Sequence, residues 1–339
     1  MGGILRFFAA ERGKMSAPVK MVEIWRGAFE ESVHLGHAVI CDGKGDIVEA
    51  WGDPLAVILP RSSAKMIQAL PLVEGGYSEA LSPQQLALLC ASHQGAEIHS
   101  TVVLSLLSNI GLGADDLRCG PEEPRDRDAR DRLIRENDTP CRVHNNCSGK
   151  HAGFLMLEKH LGGGAEYVEP DHPVQRAVRQ VFEEVTGMPS PGFGIDGCSA
   201  PNFATTLAGL ARAMGRFAAA RETDARGRAM VRLRDAMMAA PEMVAGEGRA
   251  CTNLMRAMPT RAAVKTGAEA VYVAICPDIE RGIAVKITDG ATRASEAIMT
   301  ALLSRLGLLA PDHPTARQYT FGPITNLAGL ETGHMRVVI

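Results

Sequence analysis

The sequence predicts an α/β (α+β) fold in which one antiparallel sheet is built from both chain ends around a large inserted helical region. Three observations predict it. Residues 37–53, HAVICDGKGDIVEAWGD, set two β-rich runs on either side of a Gly-Lys-Gly turn, which is a hairpin pattern. AVYVAIC at 270–276 and GIAVKITDG at 282–290 repeat that pattern near the other end. Almost everything between has helical spacing, so the two hairpins meet only if the helical region is an insertion into a shared sheet.

In chain order, a helix is expected from Ser62, where SSAKMIQALPLV carries Met66, Ile67, Ala69 and Leu70 at apolar positions. Pro71 is expected to stop or kink it. Further helices are expected over 82–91, 99–110, 126–136, 148–160, 172–186, 201–216 and 225–240, several opened by Ser, Asp or Pro. After the second hairpin come a final amphipathic helix over 293–308 and an apolar MRVVI expected as an edge strand. Residues 162–164 and 311–318 are expected as loops. Residues 1–20 are expected to be a disordered leader, or the product of a start upstream of Met15 or Met21. A single domain follows over 21–339, with sheet parts at about 21–60 and 260–339 and the helical part at about 61–259.

The chain has 339 residues, 46% hydrophobic and 22% charged, the composition of an ordinary globular protein. Its net charge of -3 carries no basic footprint for nucleic acid. No apolar run reaches the roughly eighteen residues that span a bilayer. Eight cysteines are scattered without the dense spacing of a secreted disulfide scaffold, so a reducing cytoplasm and free thiols are expected.

Several groups could carry chemistry. Ser62 and Lys65 form S-x-x-K at a helix start, a spacing that puts both side chains one turn apart on one face. A serine needs an adjacent base, and a lysine becomes one only when desolvation or a neighbouring cation lowers its proton affinity. A helix cap with a surface lysine has the same spelling. Lys265-Thr266-Gly267 stands immediately before a predicted strand, the setting in which K-T-G partners S-x-x-K in serine β-lactamases and penicillin-binding proteins. Ser92 and His93, in CASHQG, follow a predicted helix and sit on a loop that could meet a substrate. Cys147, Lys150 and His151 in HNNCSGKHAG, with Asp196 and Cys198 in GIDGCSAPN, gather thiols, a carboxylate and nitrogens on turn-rich segments. These are zinc-type donors or, equally, buried free thiols beside a helix start.

Taken together, PRSSAKMIQALPL, CASHQG, NNCSGKHAGFL, GIDGCSAPNF, PEMVAG and KTGAEAVY resemble the rhizobial-type, or class 3, L-asparaginases, in the family's order over about 22–290. The resemblance implies a serine β-lactamase/glutaminase-like fold, hydrolysis of L-asparagine to L-aspartate and ammonia, and a homodimer. It implies two Ser-Lys tandems, Ser62 with Lys65 and Ser92 with Lys265, with Ser62 as the expected nucleophile. It further implies a zinc site of Cys147, Lys150 and Cys198 completed by water, with Asp196 beside it to contact the substrate amine or that water. Arg61 suits the substrate α-carboxylate through its fork of donors, and His93 is a further expected substrate contact. Met66, Gln94 and the leader depart from the family's pattern. The competing expectations are a β-lactamase-like or glutaminase-like serine acyl hydrolase without metal, and a non-catalytic amino-acid or zinc-binding protein.

Overall fold

The computed structural model describes residues 17–339. Most of the expected leader therefore lies outside the described residues, while Val19 and Lys20 already belong to the first strand, Val19–Arg26.

One antiparallel sheet holds both chain ends. Across it lie Pro323–Thr325, Glu331–Val337, Val19–Arg26, Phe29–Asp42, Arg281–Ile287, Val271–Cys276 and Ala263–Gly267, and Ile47–Trp51 pairs with the second half of Phe29–Asp42. The register sets Val39 opposite both Ala50 and Ala284, so the early hairpin and the late one meet side by side. All six residues of Val271–Cys276 are buried. Successive side chains on a strand point to opposite faces, so both faces are covered here; the helices Leu207–Ala219 and Thr292–Arg305 cover them.

The contact with Leu207–Ala219 depends on glycine. A Cβ at Gly282 would lie 2.0 Å from the Gly215 nitrogen and 2.4 Å from the Ala211 carbonyl oxygen, so strand and helix touch backbone to backbone. Gly282→Ala is expected to cost at least about 1–3 kcal/mol, the usual range for overpacking. Thermal unfolding checks this, and an unchanged Tm would contradict it.

Between the hairpins the chain is mostly helical, with some differences from expectation. The segment after Pro60 opens as a tight turn of helix, Arg61–Ala64, and continues as Lys65–Glu74 straight through Pro71. The proline removes one N–H, while Leu70, Leu72 and Val73 around it are buried and hold the helix. The helix expected from 201 starts at Leu207, because Thr206 caps it by accepting from Gly209 N and residues 201–206 form two short strands. Two helices that periodicity missed, Pro241–Ala245 and Ala250–Ala257, are too short to show it. The loop expected over 311–318 gives way to a helix, Pro314–Thr320. Lys265-Thr266-Gly267 lies inside an edge strand rather than before a strand. The C-terminal Glu331–Val337 is one strand in from the other edge, which Pro323–Thr325 occupies. No helix among the described residues is long and apolar enough to cross a membrane.

Candidate active site

Three segments from distant parts of the chain meet at the hydroxyl of Ser92. The helix Pro83–Leu89 ends just before it, and the Ser92 backbone N–H is pinned by the Val244 carbonyl at 2.9 Å. From the first turn of Lys65–Glu74, Lys65 Nζ reaches Ser92 Oγ at 3.1 Å; from the edge strand, Lys265 Nζ reaches the same oxygen at 2.8 Å. Both lysines are buried, at 1% and 0% exposure. Lys65 also donates to the carbonyls of Ala91 (2.5 Å) and Asn146 (3.4 Å), so three acceptors surround its three possible N–H bonds. Lys265 has one other acceptor, its neighbour's Thr266 carbonyl at 2.6 Å. Burial above all, and then the Lys65 charge across Ser92, push Lys265 down to about 7. One of the two amines can therefore be neutral near neutral pH.

Ser62 lines the same cavity, and no hydrogen bond among the described residues occupies its hydroxyl. The expected pairing of Ser62 with Lys65 is not drawn as a hydrogen bond, because Lys65 Nζ leans onto Ser92 instead. Gly267 explains how the K-T-G strand comes so near: a Cβ there would meet the Pro60 carbonyl at 2.6 Å and Ser63 N at 3.0 Å. Arg61 adopts φ 55°, a left-handed conformation unusual for a side-chain-bearing residue, and its N–H donates to Asn202 Oδ1 at 3.2 Å.

Phe193–Ile195 and Pro201–Phe203 form a small hairpin whose tip carries Asp196 and Cys198. Asp196 Oδ1 accepts from Arg61 Nε at 2.9 Å and Nη2 at 2.8 Å. Burial alone would raise the Asp196 carboxyl, but Arg61 and the Lys150 charge hold it below its ordinary range. Arg61 and Asp196, expected as separate substrate contacts, thus neutralise one another. Cys147 precedes the helix Ser148–Leu161, whose first turn points Lys150 Nζ to Cys198 Sγ at 2.9 Å. The Cys147 thiol and the Lys150 ammonium hold Cys198 far below the ordinary thiol range, against burial, and Cys147 is correspondingly raised and keeps its proton. Burial would lower Lys150, but the sulfurs beside it outweigh that and raise it.

Two sulfurs and an amine nitrogen, buried together at the cavity wall, fit the donor chemistry that zinc prefers. No group of three His, Cys, Asp or Glu side chains among the described residues could hold a metal, so a three-donor set exists only if Lys150, once deprotonated, is the third donor.

The cavity has a volume of about 470 Å³, ample for a small amino acid. A depression of about 590 Å³ beside the helix Pro173–Thr186 contains none of the groups above. His93 does not line the cavity. It is fully buried, accepts from Gly95 N at 3.1 Å through Nδ1 and bonds Ser148 Oγ at 2.9 Å through Nε2, which makes it a brace between the Ser92 loop and the Cys147–Lys150 turn. His151 is likewise buried, with Nδ1 on the Tyr167 hydroxyl at 2.9 Å. Met66 lies in the core. Sequence reasoning missed Glu122, Asn146, Arg125 and Arg249 on the cavity wall. Asn146 stood inside the NNCSGK block and could have been found there; its backbone and side-chain N–H groups both reach Glu122 Oε2, at 2.9 and 2.6 Å. Glu122, Arg125 and Arg249 have no motif.

The model of the family described as L-asparaginase II matches residues 22–337. No curated protein matches the chain in sequence. Among solved structures, Mglu in its native form is 11% identical at TM-score 0.46, with 82% of this chain and 66% of that one covered. The chain thus spans just under two thirds of that protein's length. A Bacillus subtilis glutaminase, in covalent complex with 5-oxo-L-norleucine, is 11% identical at TM-score 0.38, covering 87% and 93%. A Mycobacterium bovis β-lactamase is 13% identical at TM-score 0.33, covering 80% and 94%.

Proposed function

The chain belongs to the L-asparaginase II family and is an amidohydrolase, and on that premise we propose that it hydrolyses the side-chain amide of L-asparagine to L-aspartate and ammonia. One observation carries the reading: a single hydroxyl, Ser92 Oγ, lies within hydrogen-bond distance of two buried lysine amines, beside a cavity into which the unbonded Ser62 hydroxyl opens.

Ser62 is the nucleophile and Ser92 the proton relay. Neutral Lys265 takes the Ser92 proton while Ser92 Oγ takes one from Lys65, so the unprotonated state moves to Lys65. Lys65 stands one helical turn from Ser62. It then accepts the Ser62 proton as that oxygen bonds the amide carbon. Lys65 returns the proton to the amide nitrogen, the C–N bond breaks and ammonia leaves. Water attacks the resulting ester, giving one proton to Lys65, which passes it to Ser62 Oγ as the ester C–O bond breaks and aspartate leaves. Zinc is part of the proposal: Cys147, Lys150 and Cys198 would hold it, and its charge, when bound, would orient substrate and favour neutral amines nearby. Eight free thiols support a cytoplasmic setting.

Ammonia release from asparagine and from glutamine, beside hydrolysis of a chromogenic lactam, tests the substrate, each with and without a chelator. Asparagine is expected to be turned over fastest and the chelator to slow it. Faster glutamine or lactam turnover would overturn the assignment.

The Lys150–Cys198 pair also makes a stability prediction. Cys198→Ala leaves the Lys150 ammonium buried without its counter-charge, a change that costs about 3–5 kcal/mol in comparable settings. Urea unfolding of metal-free protein should show that loss, and a wild-type midpoint would contradict the pairing.

A further inference from the structure

Three arginines line the cavity, and their partners differ. Arg61 gives Nε and Nη2 to Asp196 Oδ1, so its charge already faces a carboxylate. Arg125 is paired with Glu122 at 3.0 Å. Arg249 makes no side-chain hydrogen bond or ion pair among the described residues, although it is half-buried in the wall that holds Ser92 and Thr266.

Its position makes no sense as a stabilising device. Arg249 is the N-terminal cap of the helix Ala250–Ala257, and no side chain caps that end. The N-terminus of a helix is its positive end, where a carboxylate is favourable and a cation is not. Asp, Ser or Asn there would have stabilised the helix. The loop that presents Arg249 is nevertheless firmly held: Thr252 Oγ1 donates to the Gly246 carbonyl at 2.6 Å, and the Val244 carbonyl takes the Ser92 N–H at 2.9 Å. The backbone that presents the guanidinium is thus held and tied to the segment that carries Ser92; the Arg249 charge acts on the Glu296 carboxyl, but no hydrogen bond or ion pair among the described residues joins the two. The Arg249 charge also acts on Lys265, in the direction that favours the neutral amine.

We infer that Arg249 binds the α-carboxylate of the amino-acid substrate, leaving Asp196 for the α-ammonium. An anion in that place gains a planar fork of donors and meets a cation that no carboxylate among the described residues pairs directly. The inference rests on the asparaginase reading and replaces Arg61 as the carboxylate anchor, since the Arg61 charge is already balanced by Asp196.

The test compares L-asparagine with L-asparaginamide, which keeps the side-chain amide and lacks the carboxylate, on wild type, Arg249→Met, Arg249→Lys and Arg61→Met. Wild type is expected to prefer asparagine in kcat/KM. Arg249→Met should raise KM for asparagine by about 10- to 100-fold, the loss expected for a charge-assisted pair, while any change in kcat through Lys265 falls on asparagine and asparaginamide alike, so that the preference in kcat/KM for asparagine collapses. Arg249→Lys, with the charge and without the fork, should recover part of the preference. Equal losses on both substrates, or a preference that survives in Arg249→Met and vanishes only in Arg61→Met, would overturn the inference. A wild type that hydrolyses neither compound would overturn the asparaginase reading itself, which keeps the two failures distinct.

Discussion

Replacing Ser62 by alanine is expected to lower kcat for asparagine by on the order of 10⁴ or more, the scale seen when a serine nucleophile is deleted from a hydrolase that keeps its binding site. The Ser62 hydroxyl has no hydrogen-bond partner among the described residues, so the substitution removes no bond between them and should leave the thermal midpoint near that of wild type. The adjacent Ser63 cannot stand in. It is fully buried and its hydroxyl donates to the Pro60 carbonyl at 2.7 Å. Turnover assays with a thermal melt alongside check both halves of this expectation. Activity within tenfold of wild type would remove Ser62 from the mechanism.

Lys265→Met is the second large effect, and pH gives it a signature. Lys265 works in its neutral form, and its proton affinity is lowered to about 7. Below that pH it is an ammonium and cannot take the Ser92 proton; above it the amine is free. Asparagine kcat/KM should therefore rise with pH through a midpoint near 7 and be lost as pH falls. Methionine matches the length and burial of lysine without the base. The variant should lose about 10²–10⁴ in rate, the usual worth of a positioned acid or base. Its residual activity should lack the ascending limb. An unchanged midpoint in the variant would assign the titration to another group.

Most of the architecture was legible because its signals are local. The Gly43–Gly45 turn and the β-rich runs after Ala270 marked both hairpins, and Asp126, Thr206 and Asp224 cap helices as such residues should. The hairpin of Val19–Arg26 with Phe29–Asp42 was not read, since its outer residues are exposed and its pairing partner Glu331–Val337 comes from the far end of the chain. The candidate site was legible as residue types and illegible as connections. Ser62, Lys65, Ser92 and Lys265 all stood in motifs, and S-x-x-K spacing set Lys65 beside Ser62, but it said nothing of the link from Lys65 to Ser92. The amine is held toward that hydroxyl by the backbone carbonyls of Ala91 and Asn146, and carbonyls leave no trace in a sequence. Arg61 and Asp196, 135 positions apart, each looked like a substrate contact because nothing in their local sequence says that they face one another. Arg249 was invisible for the opposite reason: its interest lies in making no side-chain bond or ion pair among the described residues, which only the folded cavity reveals.

The division of labour between the two serines is tested most directly by covalent capture. A diazo-ketone analogue of asparagine, incubated with the enzyme, should trap whichever hydroxyl attacks. Trypsin then separates the candidates, because cleavage after Arg61 and Lys65 isolates Ser62 on a four-residue peptide away from Ser92. The account predicts the added mass on Ser62, with labelling slowed in Lys265→Met. An adduct on Ser92 would contradict it, making the hydroxyl held between the two lysines the attacking group rather than the relay.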